Sequence, residues 1–168
     1  RPLIYPVKTS FNNAHIPYFL AIEVYKPRKE WINMAVMLDE AVKRNPTQLL
    51  ERPIVIDRDN ILLTIEEGVK MYREEEWSKL YNLSVEYFQK DEFESAIQNL
   101  DIAIKMDPFK GESYGTLATL YLQSDNQEKA KEMALLGSKN APEHAFNYQV
   151  LADIAIKGGN LDEAEKHY

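Results

Sequence analysis

From Leu80 onward, apolar side chains return every three or four residues, in blocks broken by short polar turns. Leu80, Leu83, Tyr87 and Phe88 make one stripe, Lys90-Asp91-Glu92 interrupts it, and Ala96, Ile97, Leu100, Ala103 and Ile104 make a second that stops at Pro108. Apolar positions at this step predict an amphipathic helix. Proline ends one because it has no N–H to donate and its ring clashes with the preceding turn. Residues 77–110 therefore read as two antiparallel helices joined by a polar turn.

The pattern itself recurs with a period of 34 residues: Leu83, Leu117 and Leu151 keep that spacing, as do Ser84, Ala118 and Ala152, and Ala96, Ala130 and Ala164. The pairs Tyr87/Tyr121, Pro108/Pro142 and Tyr114/Tyr148 follow the same step. A fixed period of this length marks a stacked-repeat architecture, in which each unit buries its apolar face only against its neighbours. Small residues at Ser84, Ala118 and Ala152, meeting Ala96, Ala130 and Ala164, let paired helices approach to the short end of the usual range of about 8–10 Å. Tyr87, Tyr121, Leu100 and Tyr168 are expected to fill the gaps between units.

These residues resemble the tetratricopeptide repeat. That family places a bulky residue fourth, Leu seventh, a small residue eighth and Tyr eleventh, then Ala at the twentieth and twenty-seventh places and Pro at the thirty-second. Counting from Trp77, the first repeat fills all of them; the next has Ala134 in place of a large twenty-fourth residue and Gly137 as the small twenty-seventh; the last has Ala155 for the eleventh Tyr. The resemblance implies an all-α, right-handed α-solenoid of helix pairs and a non-enzymatic scaffold that binds an extended or helical protein segment in a concave groove. It implies that Tyr81, Val85, Phe88 and Gln89 face the groove from the first repeat and Gly115, Thr119 and Leu122 from the second. Phe146, Gln149, Asp153 and Ile156 would do so from the third. A subset of the family grips the C-terminal carboxylate of chaperones with Lys and Asn at the fifth and ninth places. Here those places hold Phe19 and Glu23, or Tyr81 and Val85, so that clamp is missing.

Upstream the pattern weakens. Aligning Pro46 with Pro108 sets Tyr18, Ala21, Tyr25, Trp31, Leu38 and Ala41 in the expected places, but Ile22 and Met34 stand where small residues belong. Residues 15–48 read as a degenerate repeat with more widely spaced helices. Between it and the regular repeats lies an insertion, 49–76. There Pro53-Ile54-Val55-Ile56 and Ile61-Leu62-Leu63-Thr64 flank the polar Asp57-Arg58-Asp59-Asn60, which predicts a small β-hairpin. Thr64 with Glu67 forms a capping box. The helix it opens keeps phase through Ile65, Val69, Tyr72 and Leu80 into the next repeat. The division is then 1–14 as a lead-in or capping segment, 15–48, 49–76, and repeats at 77–110, 111–144 and 145–168, the last truncated. A chain that opens on Arg1 and closes on Tyr168 inside a repeat reads as part of a longer one.

With 168 residues and 45% hydrophobic content the chain can bury a core, and its net charge of -7 disfavours duplex nucleic acid or an anionic membrane as partner. No apolar run approaches the roughly 20 residues of a membrane span. There is no cysteine, and His15, His144 and His167 share no ligand spacing. Asp57, Asp59 and Asn60 begin like a calcium loop, yet Leu62 and Gly68 stand where that loop needs Gly and Glu. No catalytic residue, cofactor or metal is expected. Asn82-Leu83-Ser84 fits a glycosylation sequon, but Leu83 and Ser84 are assigned to the buried helix contact. The partner expected is a protein or peptide. The alternatives are self-association through Leu161 to Tyr168 or the hairpin edges, and a regulatory arm of a larger protein.

Overall fold

The computed structural model describes residues 12–167, so the expectations for the first eleven residues and for Tyr168 lie outside the described residues. The chain divides into two compact units, Arg1–Glu74 and Glu75–Tyr168.

In the first unit, α1 (His15–Phe19) runs directly into a π-helix, Leu20–Tyr25, and α2 (Trp31–Arg44) follows. The Lys26 N–H donates to the Ala21 carbonyl, five residues back, at 2.9 Å. That wider turn takes up an extra residue and changes which side chains face inward. Ala21 is fully buried and Ile22 only half-buried, while Met34, Leu38 and Ala41 are fully buried. The two apparent mismatches of this repeat thus resolve differently from expectation: Ala21, one position early, supplies the small side chain, and Met34 supplies the large one.

The turn between α1 and α2 repeats throughout the chain. Lys29, Asp91, Asp125 and Gly159 all have positive φ, between 56° and 73°. Each following N–H donates five residues back: Glu30 to Tyr25, Glu92 to Tyr87, Asn126 to Tyr121 and Asn160 to Ala155, at 2.8–3.1 Å. A left-handed residue followed by such a return bond satisfies the last carbonyls of the outgoing helix.

The hairpin follows: β1 (Leu49–Val55) pairs antiparallel with β2 (Ile61–Thr64), with Ile54 opposite Leu62 and Val55 opposite Ile61. β1 begins at Leu49, ahead of the expected Pro53. Between the Leu49/Thr64 and Ile54/Leu62 pairs β1 takes five residue steps where β2 takes two, so the ladder is irregular there. Pro53, which cannot donate to a ladder, lies in that stretch. Leu50 is buried and Ile54 and Leu62 half-buried, whereas Leu49, Val55, Ile61 and Leu63 are exposed. The capping box forms. Glu67 accepts from the Leu63 and Thr64 N–H groups at 2.8 and 2.9 Å and from the Thr64 hydroxyl at 3.0 Å, while the Glu67 N–H donates to the Thr64 hydroxyl at 3.3 Å. It opens α3 (Ile65–Gln89), one uninterrupted helix.

The second unit takes the rest of α3, then α4 (Phe93–Met106), α5 (Gly111–Gln123), α6 (Gln127–Asn140), α7 (Ala145–Lys157) and α8 (Leu161–Glu165). Ala96, Leu100, Leu117 and Leu120 form one buried cluster; Ala118, Ala130, Ala134, Val150, Leu151 and Ile154 form another. The alanines are what let α4, α5, α6 and α7 share these cores. One expectation fails. Leu83 is 39% exposed whereas Leu117 is fully covered, because Leu83 belongs to the pair that opens this unit and no earlier pair within the unit lies against it. Ser84 is buried as expected, its hydroxyl donating to the Tyr81 carbonyl at 2.6 Å. The architecture is a helical solenoid of paired helices that carries a small β-hairpin.

Candidate protein-binding face

The first helices of the regular pairs are α3 from Trp77 on, α5 and α7, and polar contacts fix α3 against α5. The Trp77 indole N–H donates to the Ser113 hydroxyl at 2.8 Å, its ring stacks on Tyr81 with centroids 5.4 Å apart, and the Lys110 ammonium lies 4.6 Å from its centroid. The Tyr81 hydroxyl reaches the Thr116 hydroxyl at 3.2 Å. Tyr114, whose phenol is pushed to a higher pKa by burial, donates to the Pro108 carbonyl at 3.1 Å and accepts from the Asn140 amide at 2.8 Å.

Ten of the eleven residues assigned to the groove fall into two groups. Tyr81 and Phe88 are half-buried against the Leu100 cluster, and Phe88 also packs on Phe93 with ring centroids 5.9 Å apart. Leu122 is half-buried against the Ala130 cluster. Val85, Thr119 and Asp153 are likewise half-buried, and the Thr119 hydroxyl donates back to the Gly115 carbonyl at 2.9 Å. Gln89, Phe146, Gln149 and Ile156 are exposed. Three of these four stand on α7. Phe146, Gln149, Asp153 and Ile156, spaced by three or four, share one helix face, while Val150, Leu151 and Ile154 on the other side are buried. Phe146 is 40% exposed and Ile156 46%.

The sequence of residues 80–110 matches the family model of the tetratricopeptide repeat. Among solved structures the chain is similar to the crystal structure of MamA, with TM-score 0.51 and 20% identity, over 93% of this chain and 74% of that one. It is also similar to the first such domain of Spaghetti (RPAP3) bound to the HSP90 peptide SRMEEVD, with TM-score 0.52 and 18% identity, over 56% of this chain and 75% of that one. No curated protein matches the sequence. Residues 80–110 are a tetratricopeptide repeat. At these identities the likeness to the solved structures is one of fold.

The repeat frame also exposes what its consensus does not specify. Gly115 was assigned to the groove, but it is buried: a Cβ there would come within 2.3 Å of Phe146 Cδ1. The Phe146 ring takes the space that a fifth-place side chain of the tetratricopeptide repeat would use. A Cβ on Gly137 would lie 2.5 Å from Asn147 Oδ1. Asn147 is fully buried, and neither its Oδ1 nor its Nδ2 has a hydrogen-bond partner among the described residues. His144 directly precedes α7. It makes no capping hydrogen bond, because its ring packs over Gly111 instead. The signal for these close approaches was in the sequence, since glycine inside a helical stripe costs propensity and is retained where something presses on the backbone.

Proposed function

We propose that the face formed by α3 from Trp77 on, α5 and α7 binds an extended or helical segment of another protein. The observation that carries this reading is α7: one side of the helix is sealed in the core, while the opposite side leaves Phe146 and Ile156 uncovered with Gln149 between them. Aromatic and aliphatic anchors beside polar groups are the usual composition of a protein-binding hot spot. Tyr81 and Phe88 support the face from beneath. The peptide-bound domain of Spaghetti is similar in fold, so the fold is compatible with a peptide ligand. The terminal-carboxylate clamp has no counterpart at Tyr81 and Val85, so SRMEEVD itself is not expected to bind.

An array of extended and helical peptides probed with the full chain tests this. Phe146→Ala and Ile156→Ala are each expected to weaken the best binders at least about fivefold, and Leu135→Ala and Leu136→Ala, exposed on α6, to leave them unchanged. Binding that survives both α7 changes would remove this face from consideration. A second reading, self-association, is favoured by the aliphatic outer surface of the hairpin, where Val55, Ile61 and Leu63 are exposed on one face. Light scattering that reports a monomer at every concentration would discard it.

A further inference from the structure

A cleft of about 840 Å³ lies wholly inside the first unit. One wall is α1 and the π-helix, contributing Ile16, Tyr18, Phe19, Ile22 and Glu23; the other is the Leu50–Ile54 stretch of β1, and Tyr72 of α3 also lines the cleft. Both backbone irregularities of the unit border this one cavity: the π-helix on one side, the out-of-register stretch of β1 on the other. Each carries a cost in hydrogen bonding, and each is a device that folds retain next to sites because it re-aims side chains.

The volume is that of a ligand site, and the lining is mostly apolar and aromatic with a few polar groups. Phe19 is 59% exposed at the rim. Tyr18 and Tyr72 meet edge to face at 6.3 Å, and the Lys26 ammonium already rests 4.4 Å from the Tyr72 ring centroid. The charges on the two walls differ in state. On the strand wall Glu51 is engaged by His15 Nδ1 at 3.3 Å, while His15 Nε2 donates to the Leu49 carbonyl at 2.7 Å. Glu23 on the helical wall and Arg52 on the strand wall are both exposed and make no hydrogen bond or ion pair among the described residues. Burial first, and then the nearby Tyr72 and Glu23, raise the Tyr18 phenol pKa, which keeps that ring neutral beside the carboxylate.

We propose that this cleft is a second binding site, for an extended peptide segment that presents a basic side chain to one wall and an acidic side chain to the other, with apolar residues flanking them. The reasoning is geometric. Side chains of an extended chain alternate to opposite sides, so neighbouring Lys and Glu residues meet opposite walls, here Glu23 and Arg52. The apolar residues take the hollow lined by Leu50, Ile54 and Phe19. A segment of one charge sign would satisfy one wall and oppose the other. The site is separate from the face on α7 and does not depend on it.

Three capped hexapeptides probe it: Ile-(Lys-Glu)₂-Ile, Ile-Lys₄-Ile and Ile-Glu₄-Ile, each titrated into the isotope-labelled full chain at low salt. The mixed peptide is expected to shift the amides of Leu50 to Ile54 and of Phe19 and Glu23, and to bind more tightly than either single-sign peptide. Glu23→Gln and Arg52→Gln, both at exposed positions, are each expected to weaken it about threefold, the scale of an exposed ion pair. Phe19→Ala should weaken all three peptides alike. Single-sign peptides that bind as well, shifts confined to Phe146, Gln149 and Ile156, or no shifts at Leu50 to Ile54 would each overturn the proposal.

Discussion

The two units solve the same packing problem with the large and small side chains exchanged. In the second unit the seventh place is large, Leu117 and Leu151, while the eighth and twentieth are small, Ala118 with Ala130 and Ala152 with Ala164, all buried. In the first unit the seventh place is Ala21 and the twentieth is Met34, both fully buried. A helix contact conserves total volume and is indifferent to which partner supplies it, provided the backbone can present the right residue. The π-helix is how the first unit does so, moving the inward position from Ile22 to Ala21. Regular helices suffice in the second unit because its small residues already recur at the right places.

Opposite substitutions break this symmetry most severely. Met34→Ala empties a fully buried site and should cost about 2–5 kcal/mol, whereas Ala130→Met overfills its counterpart and should cost about 1–3 kcal/mol. With two units, a single melting temperature mixes their responses, so amide exchange is the better measurement. Faster exchange is expected in α1 and α2 for the first variant and in α5, α6 and α7 for the second. A Met34→Ala protein with unchanged exchange in α2 would mean that the volume exchange is not what holds the first pair together.

Gly137 sharpens the comparison from the second unit's side, where close approach is bought with glycine rather than with a widened helix. Gly137→Ala places a methyl 2.5 Å from Asn147 Oδ1, and Asn147 is buried and cannot swing away. A loss of about 1–3 kcal/mol is expected. Asn147→Ala removes an amide whose two polar atoms are unpaired, so the lost contacts and the relieved desolvation offset each other and the change should be small. In that background Gly137→Ala should become neutral or stabilising, because alanine is the better helix former by about 1 kcal/mol. Denaturant unfolding of the four proteins gives the coupling; strictly additive effects would show that the two residues do not press on each other.

Much of this was legible in the residues. The 34-residue recurrence of Ser84, Ala118 and Ala152 gives the helix pairs, the Asp57-Arg58-Asp59-Asn60 turn between aliphatic runs gives the hairpin, and Thr64 with Glu67 gives the start of α3. What was not legible has physical causes. A π-helix leaves no periodic mark, because one widened turn shifts the apolar stripe by a single residue, which reads as a mismatch at Ile22. The start of β1 was hidden because Glu51-Arg52-Pro53 looks like a strand breaker. Burial at the candidate binding face depends on neighbours. Nothing in the word Gly115 says that Phe146 will lie on it, or in Leu83 that its own unit offers no earlier pair to cover it. The cleft beside β1 needs two segments far apart in sequence and two backbone irregularities, none of which a pattern of positions displays.

Helix caps extend the contrast and predict a smaller, pH-dependent effect. In the second unit α6 is capped by the neutral Asn126, whose side chain accepts from the Lys129 N–H at 3.2 Å. In the first unit α3 is opened by a carboxylate. Hydrogen bonds from the Leu63 and Thr64 N–H groups and the Thr64 hydroxyl hold the Glu67 pKa below its ordinary value of 4.5. A depressed folded-state value means that the stabilisation is complete above the unfolded pKa and is lost as pH falls through the folded one. The first turn of α3 should therefore loosen below about pH 4.5 while the first turn of α6 holds. Thr64→Ala should cost about 1 kcal/mol at neutral pH. Amide exchange at Glu66 and Glu67 against that at Lys129, followed down in pH, is the measurement; parallel loss at both caps would show that the box contributes nothing of its own.

The smallest expected effect lies at the turn that all the pairs share. The left-handed position holds Lys29 in the first unit and Asp91, Asp125 and Gly159 in the second. A lysine there has no local compensation for the crowding of its Cβ, whereas aspartate tolerates the conformation through its short polar side chain and glycine has no Cβ to crowd. Lys29→Gly should thus stabilise the first unit, by up to about 1 kcal/mol after the entropy of glycine in the unfolded chain is subtracted. Asp91→Gly should change the second unit by less. Exchange slowed in α1 and α2 by the first substitution, with α4 unaffected by the second, would locate the poorer turn in the unit that also needs a π-helix. Equal gains at Lys29 and Asp91 would mean that the two turns are equally strained and that the irregularity of the first unit is confined to its helix and strand.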